Sequence, residues 1–324
     1  MSGLGTFISV GRSLDQAIER VQRAEELGYD TTYVTHIAGR DSLTVLMAYA
    51  AATERIKLGT GVLPIYSRTP VATAQSAATI DEYSNGRMVL GLGVSHAVTV
   101  QHWYGQQIER PLKAMREYAG IVRASFRGEE PPECEIFPSR FRFMGYEPRP
   151  DIPIYVAALS PKMIRLAGEI SDGAMLWLCN PNYIREVVVP EVQAGLERAG
   201  RSPDGFDIVA AVPSAVTDDK AAAYETMRND LLTYWSLPFY RAMIERSGFG
   251  EDIARFDEAM QAGDVERAKA AISDRFLDDL TAIGSPDEVR AGIKRYADAG
   301  ATSPGVGPVP RTDFLATLEA AKPA

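Results

Sequence analysis

Short apolar runs alternate with helical patterns along nearly the whole chain, and that alternation limits the fold more than any single motif. In order, the strand candidates are Gly5–Val10, Thr31–Thr35, Ile56–Gly61, Arg87–Leu92, Ile154–Ala158, Ala174–Leu178, Phe206–Val212 and Ala301–Val306. Helix punctuation separates them. Ser13 is placed to cap Leu14–Leu27 and Gly28 to stop it. Pro70 opens a helix running to about Tyr83, and Asn85-Gly86 turns the chain into the fourth strand. Ser285-Pro286-Asp287-Glu288 spells a capping box with proline at the first helical position. Strands separated by helices are joined most simply as parallel βαβ units. Eight of them in 324 residues predict an α/β fold, a (β/α)8 TIM barrel. An open, doubly wound two-domain sheet is the competing architecture. No stretch of linker composition divides the chain, so residues 1–324 read as one domain.

Two segments interrupt the alternation. Residues 128–153 are rich in proline and charge, with a strand-like patch at Phe141–Met144, and read as a short surface excursion or hairpin after the fourth strand. Residues 235–283 show no strand signal, only aromatic and charged helical pieces. They predict a helical insertion over one end of the fold, ahead of the last strand.

Composition excludes several classes. The net charge of −9 opposes contact with phosphate backbones, so nucleic acid is not an expected partner. The two cysteines, Cys134 and Cys179, are far apart and lack CxxC or CxH spacing, which argues against a disulfide framework and a metal centre. The apolar run at the N-terminus is short and has no basic start, and no run approaches the ~20 residues a membrane helix needs. A cytoplasmic protein acting on a small molecule is the resulting expectation.

In a barrel of this kind the chemistry sits at the C-terminal strand ends. His36 follows the second strand, where an imidazole can exchange a proton near neutral pH or bind a substrate oxygen; a half-buried structural histidine is the alternative. Gly61-Val62 ends the third strand, where a bulge would push backbone toward a flat ring or the chain would simply turn. Gly91–His96 ends the fourth strand with two polar side chains, Ser95 and His96, on a glycine-loosened loop. His102, Trp103 and Tyr104 follow, either covering a ring or packing under the excursion. Ala157–Lys162 joins the fifth strand to a helix, as a phosphate seat at a helix N-terminus or as an ordinary capped helix. Trp177, ending the sixth strand with Cys179, packs the barrel top or lines a pocket. Asp172 precedes that strand and falls on the opposite face.

At these residues the chain resembles the bacterial luciferase-like family of flavin and deazaflavin enzymes, and more closely its coenzyme F420-dependent branch. The matching text is AEELGYDTTYVTH, IKLGTGVLPIYSRTPVATAQSAATIDEYSNGRMVLGLGVSH, RPDIPIYVAALSPKMIRLAGEISDGAMLW and IGSPDEVRAGIKRYADAGAT, in that order across essentially the whole chain. The resemblance implies an oxidoreductase that transfers a hydride between F420 and a small organic substrate. An FMN-dependent two-component monooxygenase and a non-catalytic flavin-binding barrel are the alternatives it leaves. It implies a non-prolyl cis peptide at Gly61-Val62 backing the ring, with Thr60 beside it, and places His36 at the ring's reactive edge. It implies that Gly93, Val94, Ser95 and His96, with Ala157, Ala158, Leu159, Ser160, Lys162 and Met163, hold the ribityl-phosphate part. His36, or His96 in its stead, would handle the proton, and Trp103 and Trp177 would line the substrate pocket. Some sugar-phosphate dehydrogenases of the branch carry an acidic residue where this chain has His96, which weighs against sugar dehydrogenation. Many relatives are dimers, so a homodimer is implied as well; the apolar helix within Leu43–Ala52 would suit that contact or the chain's own core.

Overall fold

The computed structural model describes residues 3–323. Its strands are β1 (Gly5–Phe7), β2 (Thr31–Val34), β3 (Lys57–Thr60), β4 (Leu63–Pro64), β5 (Met88–Gly93), β6 (Ile154–Ala157), β7 (Gly173–Leu176), β8 (Asp207–Val216), β9 (Ala282–Gly284) and β10 (Ser303–Pro308). All pairings are parallel, and the order is β10-β1-β2-β3-β5-β6-β7-β8. Pairing of β8 with β10, from Ser303 opposite Val209 to Pro308 opposite Ser214, closes the sheet into an eight-stranded barrel. The eight predicted strands are these eight staves. Two further pieces escaped the sequence reading. β4 extends past β3 along the end of β5, and β9 pairs with the far end of β8, outside the cylinder.

The staves are covered on both faces, which is why they read as continuous apolar runs: every residue of β5 is buried. Tyr33, Val89, Met175 and Val209 fill the barrel interior, with Phe7, Val62 and Tyr155 against them. Glycine makes room for the large rings. A Cβ on Gly305 of β10 would lie 2.5 Å from Phe7 Cε2. The larger core lies between strands and helices. Helix Ser42–Ala52 turns Leu43, Val45, Leu46, Tyr49 and Ala50 into it, so its apolar text is accounted for within the chain.

Local signals account for the helix ends. Ser13 Oγ accepts from Gln16 N–H at 3.2 Å, Thr69 caps the helix that Pro70 opens, and both halves of the Ser285–Glu288 capping box form. After β7 the chain runs helically without a break from Pro181 to Arg198, with a π-turn at Ile184–Val188 leading into the helix Val189–Arg198.

The excursion holds no strand, contrary to the reading of Phe141–Met144. The aromatics there meet edge to face instead, Phe141 with Phe143 and Phe143 with Tyr146, with ring centroids 5.0 and 5.4 Å apart. The segment is fastened by side chains. Arg149 grips buried Asp81 with Nε at 3.0 Å and Nη2 at 2.8 Å, and Glu117 accepts the backbone N–H groups of Ile136 and Phe137.

Residues 235–283 do form helices, at Pro238–Ile244, Gly250–Gln261, Val265–Ala271 and Asp274–Leu280. They pack around Trp235, which meets Phe256 and Phe276 at 5.6 and 5.2 Å, and their buried residues run continuously into the core between strands and helices. The segment's last residues, Ala282 and Ile283, belong to β9, which corrects the strand-free reading. Among the described residues no helix is long and apolar enough to cross a membrane.

Candidate functional site

The C-terminal ends of β2, β3, β5, β6 and β7 carry the residues singled out above. His36 lies two residues beyond β2 and is half-buried. Its Nδ1 is 3.1 Å from Ser42 Oγ and 3.3 Å from the Ser42 backbone N–H, at the start of helix Ser42–Ala52. Burial lowers the pKa of the ring. The Asp41 carboxylate, 3.8 Å from Nδ1, opposes that shift and Arg68 adds to it.

β3 runs through Thr60 into a cis peptide at Gly61-Val62. Gly61 N–H donates to Val34 O at 2.9 Å, tying this point to the end of β2, and Thr60 Oγ1 donates to Gly91 O at 2.7 Å, tying it to β5. Val62 touches the interior cluster, and Gly93 leaves space for it: a Cβ on Gly93 would come within 2.6 Å of Val62 Cγ2. Ser95 follows in the left-handed region with φ 61°, as does Leu178 after β7 with φ 60°. Non-glycine residues take this conformation rarely, and it gathers at ligand-contact loops.

His96 is also half-buried, and burial lowers its pKa. Its side chain makes no hydrogen bond among the described residues. It packs between rings instead, 6.1 Å from Tyr234 and 5.7 Å from Tyr240 between centroids. Tyr234 and Tyr240 are 5.0 Å apart, and Tyr234 meets Trp177 at 6.2 Å. Tyr234, just ahead of the insertion, and Tyr240, within it, thus lie over the ends of β5 and β7. The sequence reading missed both. The only available signal was the aromatic density of YWSLPFY at 234–240. Trp103 does not join this cluster. It ends a π-turn, Thr99–Trp103, and is half exposed. Behind Trp177, Cys179 is buried with its Sγ 3.3 Å from Met243 Sδ, and burial pushes its thiol pKa up.

Beyond β6, Ala157, Ala158 and Leu159 lead to Ser160, whose Oγ accepts from Met163 N–H at 3.3 Å as the cap of helix Pro161–Ile170. Leu159 O accepts from Tyr183 Oη at 2.7 Å, which holds the turn. Lys162 is exposed and enters no ion pair among the described residues. It borders a cleft of about 430 Å³ that Lys113, Arg116, Arg165, Glu169 and Arg198 also line, where Glu169 pairs with Arg116 and Arg198, and Arg165 pairs with Glu191. A capped helix N-terminus carrying Lys162, unpaired among the described residues, suits an anionic group. Asp172 lies at the other end of the barrel, paired with Arg123 and accepting Ile154 N–H at 2.9 Å. Among the described residues no three His, Cys, Asp or Glu side chains are grouped to hold a metal ion.

A family model for luciferase-like monooxygenases matches residues 2–303. The chain belongs to the luciferase-like family. Within that family it is 34% identical to a 5,10-methylenetetrahydromethanopterin reductase of Archaeoglobus fulgidus over 289 residues, 87% of this chain and 86% of that one. The structure of the coenzyme F420-dependent tetrahydromethanopterin reductase of Methanopyrus kandleri superposes with a TM-score of 0.83 at 25% identity, covering 99% of this chain and 97% of that one. An F420-dependent secondary alcohol dehydrogenase, solved with an F420-acetone adduct, shares the luciferase-like fold with a TM-score of 0.79 at 18% identity over the full length of both chains.

Proposed function

We propose that this luciferase-like chain is an F420-dependent oxidoreductase that transfers a hydride between the deazaflavin and a small organic substrate at the C-terminal face of the barrel. The observation that carries the reading is the convergence at that face of three things a flat, anionic cofactor requires. The ends of β3 and β5 close together without side chains in the way: Gly93 is the cradle, since a Cβ there would strike Val62. A helix N-terminus with a serine cap and a free lysine offers an anion seat beyond β6. An imidazole stands at the end of β2 with its Nδ1 already occupied. The naming of the similar Methanopyrus kandleri reductase for coenzyme F420 supports the choice of cofactor.

When bound, F420 supplies a two-electron hydride carrier. The chain's own part is to bind, orient and manage the proton. Thr60, Gly61, Val62 and Gly93 would back the ring. Val94, Ser95 and the turn Ala157–Met163 would hold the ribityl-phosphate part. His36 would hold a proton beside the reacting atoms. His96, wrapped in aromatic rings, would instead shape the pocket with Trp177, Tyr234 and Tyr240.

Titration of the purified chain with F420 and with FMN tests the cofactor, with F420 expected to bind more tightly; FMN binding in the absence of F420 binding overturns the assignment. Methylenetetrahydromethanopterin and secondary alcohols are the first substrates to assay. His36→Ala is expected to lower turnover by ~10²–10⁴-fold while F420 affinity is kept. Turnover equal to that of the unaltered chain removes His36 from the chemistry.

A further inference from the structure

The contacts at His36 determine which of its nitrogens holds the proton. Ser42 presents two groups to Nδ1, its hydroxyl at 3.1 Å and its backbone N–H at 3.3 Å. The backbone N–H can only donate, so Nδ1 must offer a lone pair. Of the two neutral tautomers, only the one protonated at Nε2 does so. An imidazolium would set one N–H against another. The hydroxyl of Ser42 is fully buried, and His36 is its one hydrogen-bond partner among the described residues. Ser42 also opens an eleven-residue helix whose positive end disfavours a cationic ring.

The charged groups facing the ring are Asp41, from its own loop, and Arg68, from the loop after β4. Asp41 could in principle stabilise an imidazolium, but its carboxylate is already committed. Oδ1 accepts from Thr44 N–H and from Thr44 Oγ1, each at 2.8 Å, and Oδ2 accepts from Arg68 Nη1 at 2.9 Å. Nε2 makes no hydrogen bond among the described residues, so it remains free for a ligand.

We propose that Ser42 is a positioning residue that locks His36 as the neutral Nε2–H imidazole, so that His36 serves the substrate as a hydrogen-bond donor and not as a charged acid. A neutral imidazole held at a helix N-terminus is a known electrophilic device in another barrel enzyme. The donor role rests on the proposed F420 reaction, whereas the tautomer is a property of the free protein.

Long-range ¹H–¹⁵N spectra of the full chain labelled with ¹⁵N-histidine test it. Only three histidines need to be assigned, and the signals lost in His36→Asn identify the one of interest. Without any cofactor, His36 is expected to show a bare Nδ1 and a protonated Nε2 at neutral pH, with a titration midpoint below the ordinary value of about 6.5. In Ser42→Ala the hydroxyl contact is lost but the backbone N–H at Nδ1 remains, so the Nε2–H tautomer should persist while the midpoint rises. Ser42→Thr should restore the original pattern. In turnover, Ser42→Ala is expected to lower kcat about tenfold with KM and F420 affinity unchanged, and Ser42→Thr to recover it. A wild-type His36 protonated at Nδ1, or averaging between tautomers, overturns the proposal; so does an unchanged kcat in a Ser42→Ala chain whose spectrum has shifted. Failure of F420 to bind would sink the functional reading alone, since the wild-type spectrum decides the tautomer without it.

Discussion

Gly91 stands where a side chain has nowhere to go. A Cβ there would run into the carbonyl oxygen of Thr60 and come within 2.6 Å of Met175 Sδ, while Gly91 O holds the Thr60 hydroxyl. Backbone cannot yield as a flexible side chain can, so Gly91→Ala should push β3 and β5 apart. The expected loss is about 1–3 kcal/mol, read as a lower urea midpoint; a midpoint equal to that of the parent chain would show that the strands have slack here. At this scale the sequence is informative wherever the chain order itself dictates location. His36, the Gly93–His96 loop and the Ser160 turn could be named because each follows a strand, and strand ends in a parallel barrel share one face. Tyr234, Tyr240 and the commitment of Ser42 to His36 could not. The tyrosines reach His96 from more than a hundred residues away, and many conformations of the loop between His36 and Ser42 are compatible with its composition.

Glu25 shows what one side chain does for the joining of two elements. At the end of helix Leu14–Glu26, its carboxylate accepts the backbone N–H groups of Glu54, Arg55 and Ile56 at 2.9, 2.6 and 2.9 Å, just before β3. Burial alone would raise its pKa, but the three backbone bonds outweigh it and the net shift is downward from 4.5. A carboxylate with a depressed folded-state pKa contributes stability that is present above the unfolded pKa and is lost as pH falls through the folded one. Glu25→Gln should therefore reduce stability at neutral pH by about 1 kcal/mol and flatten its decline below about pH 4.5. Parallel acid-unfolding curves for the two proteins would contradict this. Elements were legible when they were long or clearly punctuated. The eight staves and the capped helices fall in that class. β4 and β9, of two and three residues, carry no periodicity to detect. Phe141–Met144 misled because its aromatics have high strand propensity, yet in an isolated excursion they find each other rather than a partner strand.

The molecule as a whole depends on closure, which joins β8 to β10 across almost a hundred residues of chain. Asp207, the first residue of β8, stitches this seam. Its carboxylate accepts from Ser303 Oγ at 2.7 and 2.9 Å, from Tyr155 Oη at 3.1 Å and from Thr302 Oγ1. Asp207→Ala leaves three hydroxyls short of an acceptor at the N-terminal end of the barrel, far from the proposed site. It should cost about 2 kcal/mol in urea unfolding with F420 affinity unchanged; an equal loss of affinity would show that the two ends are coupled.

Sequence by itself determined that this chain builds parallel βαβ units, how many, and which residues stand at their ends, because strand and helix periodicities and capping signals are local and survive without neighbours. Tertiary structure alone decided the register at which the predicted barrel closes, that Tyr234 and Tyr240 come over His96, and that Ser42 rather than Asp41 governs the imidazole of His36. Each of those facts depends on a distance or an angle between groups, and no local pattern encodes the through-space geometry that compact packing creates.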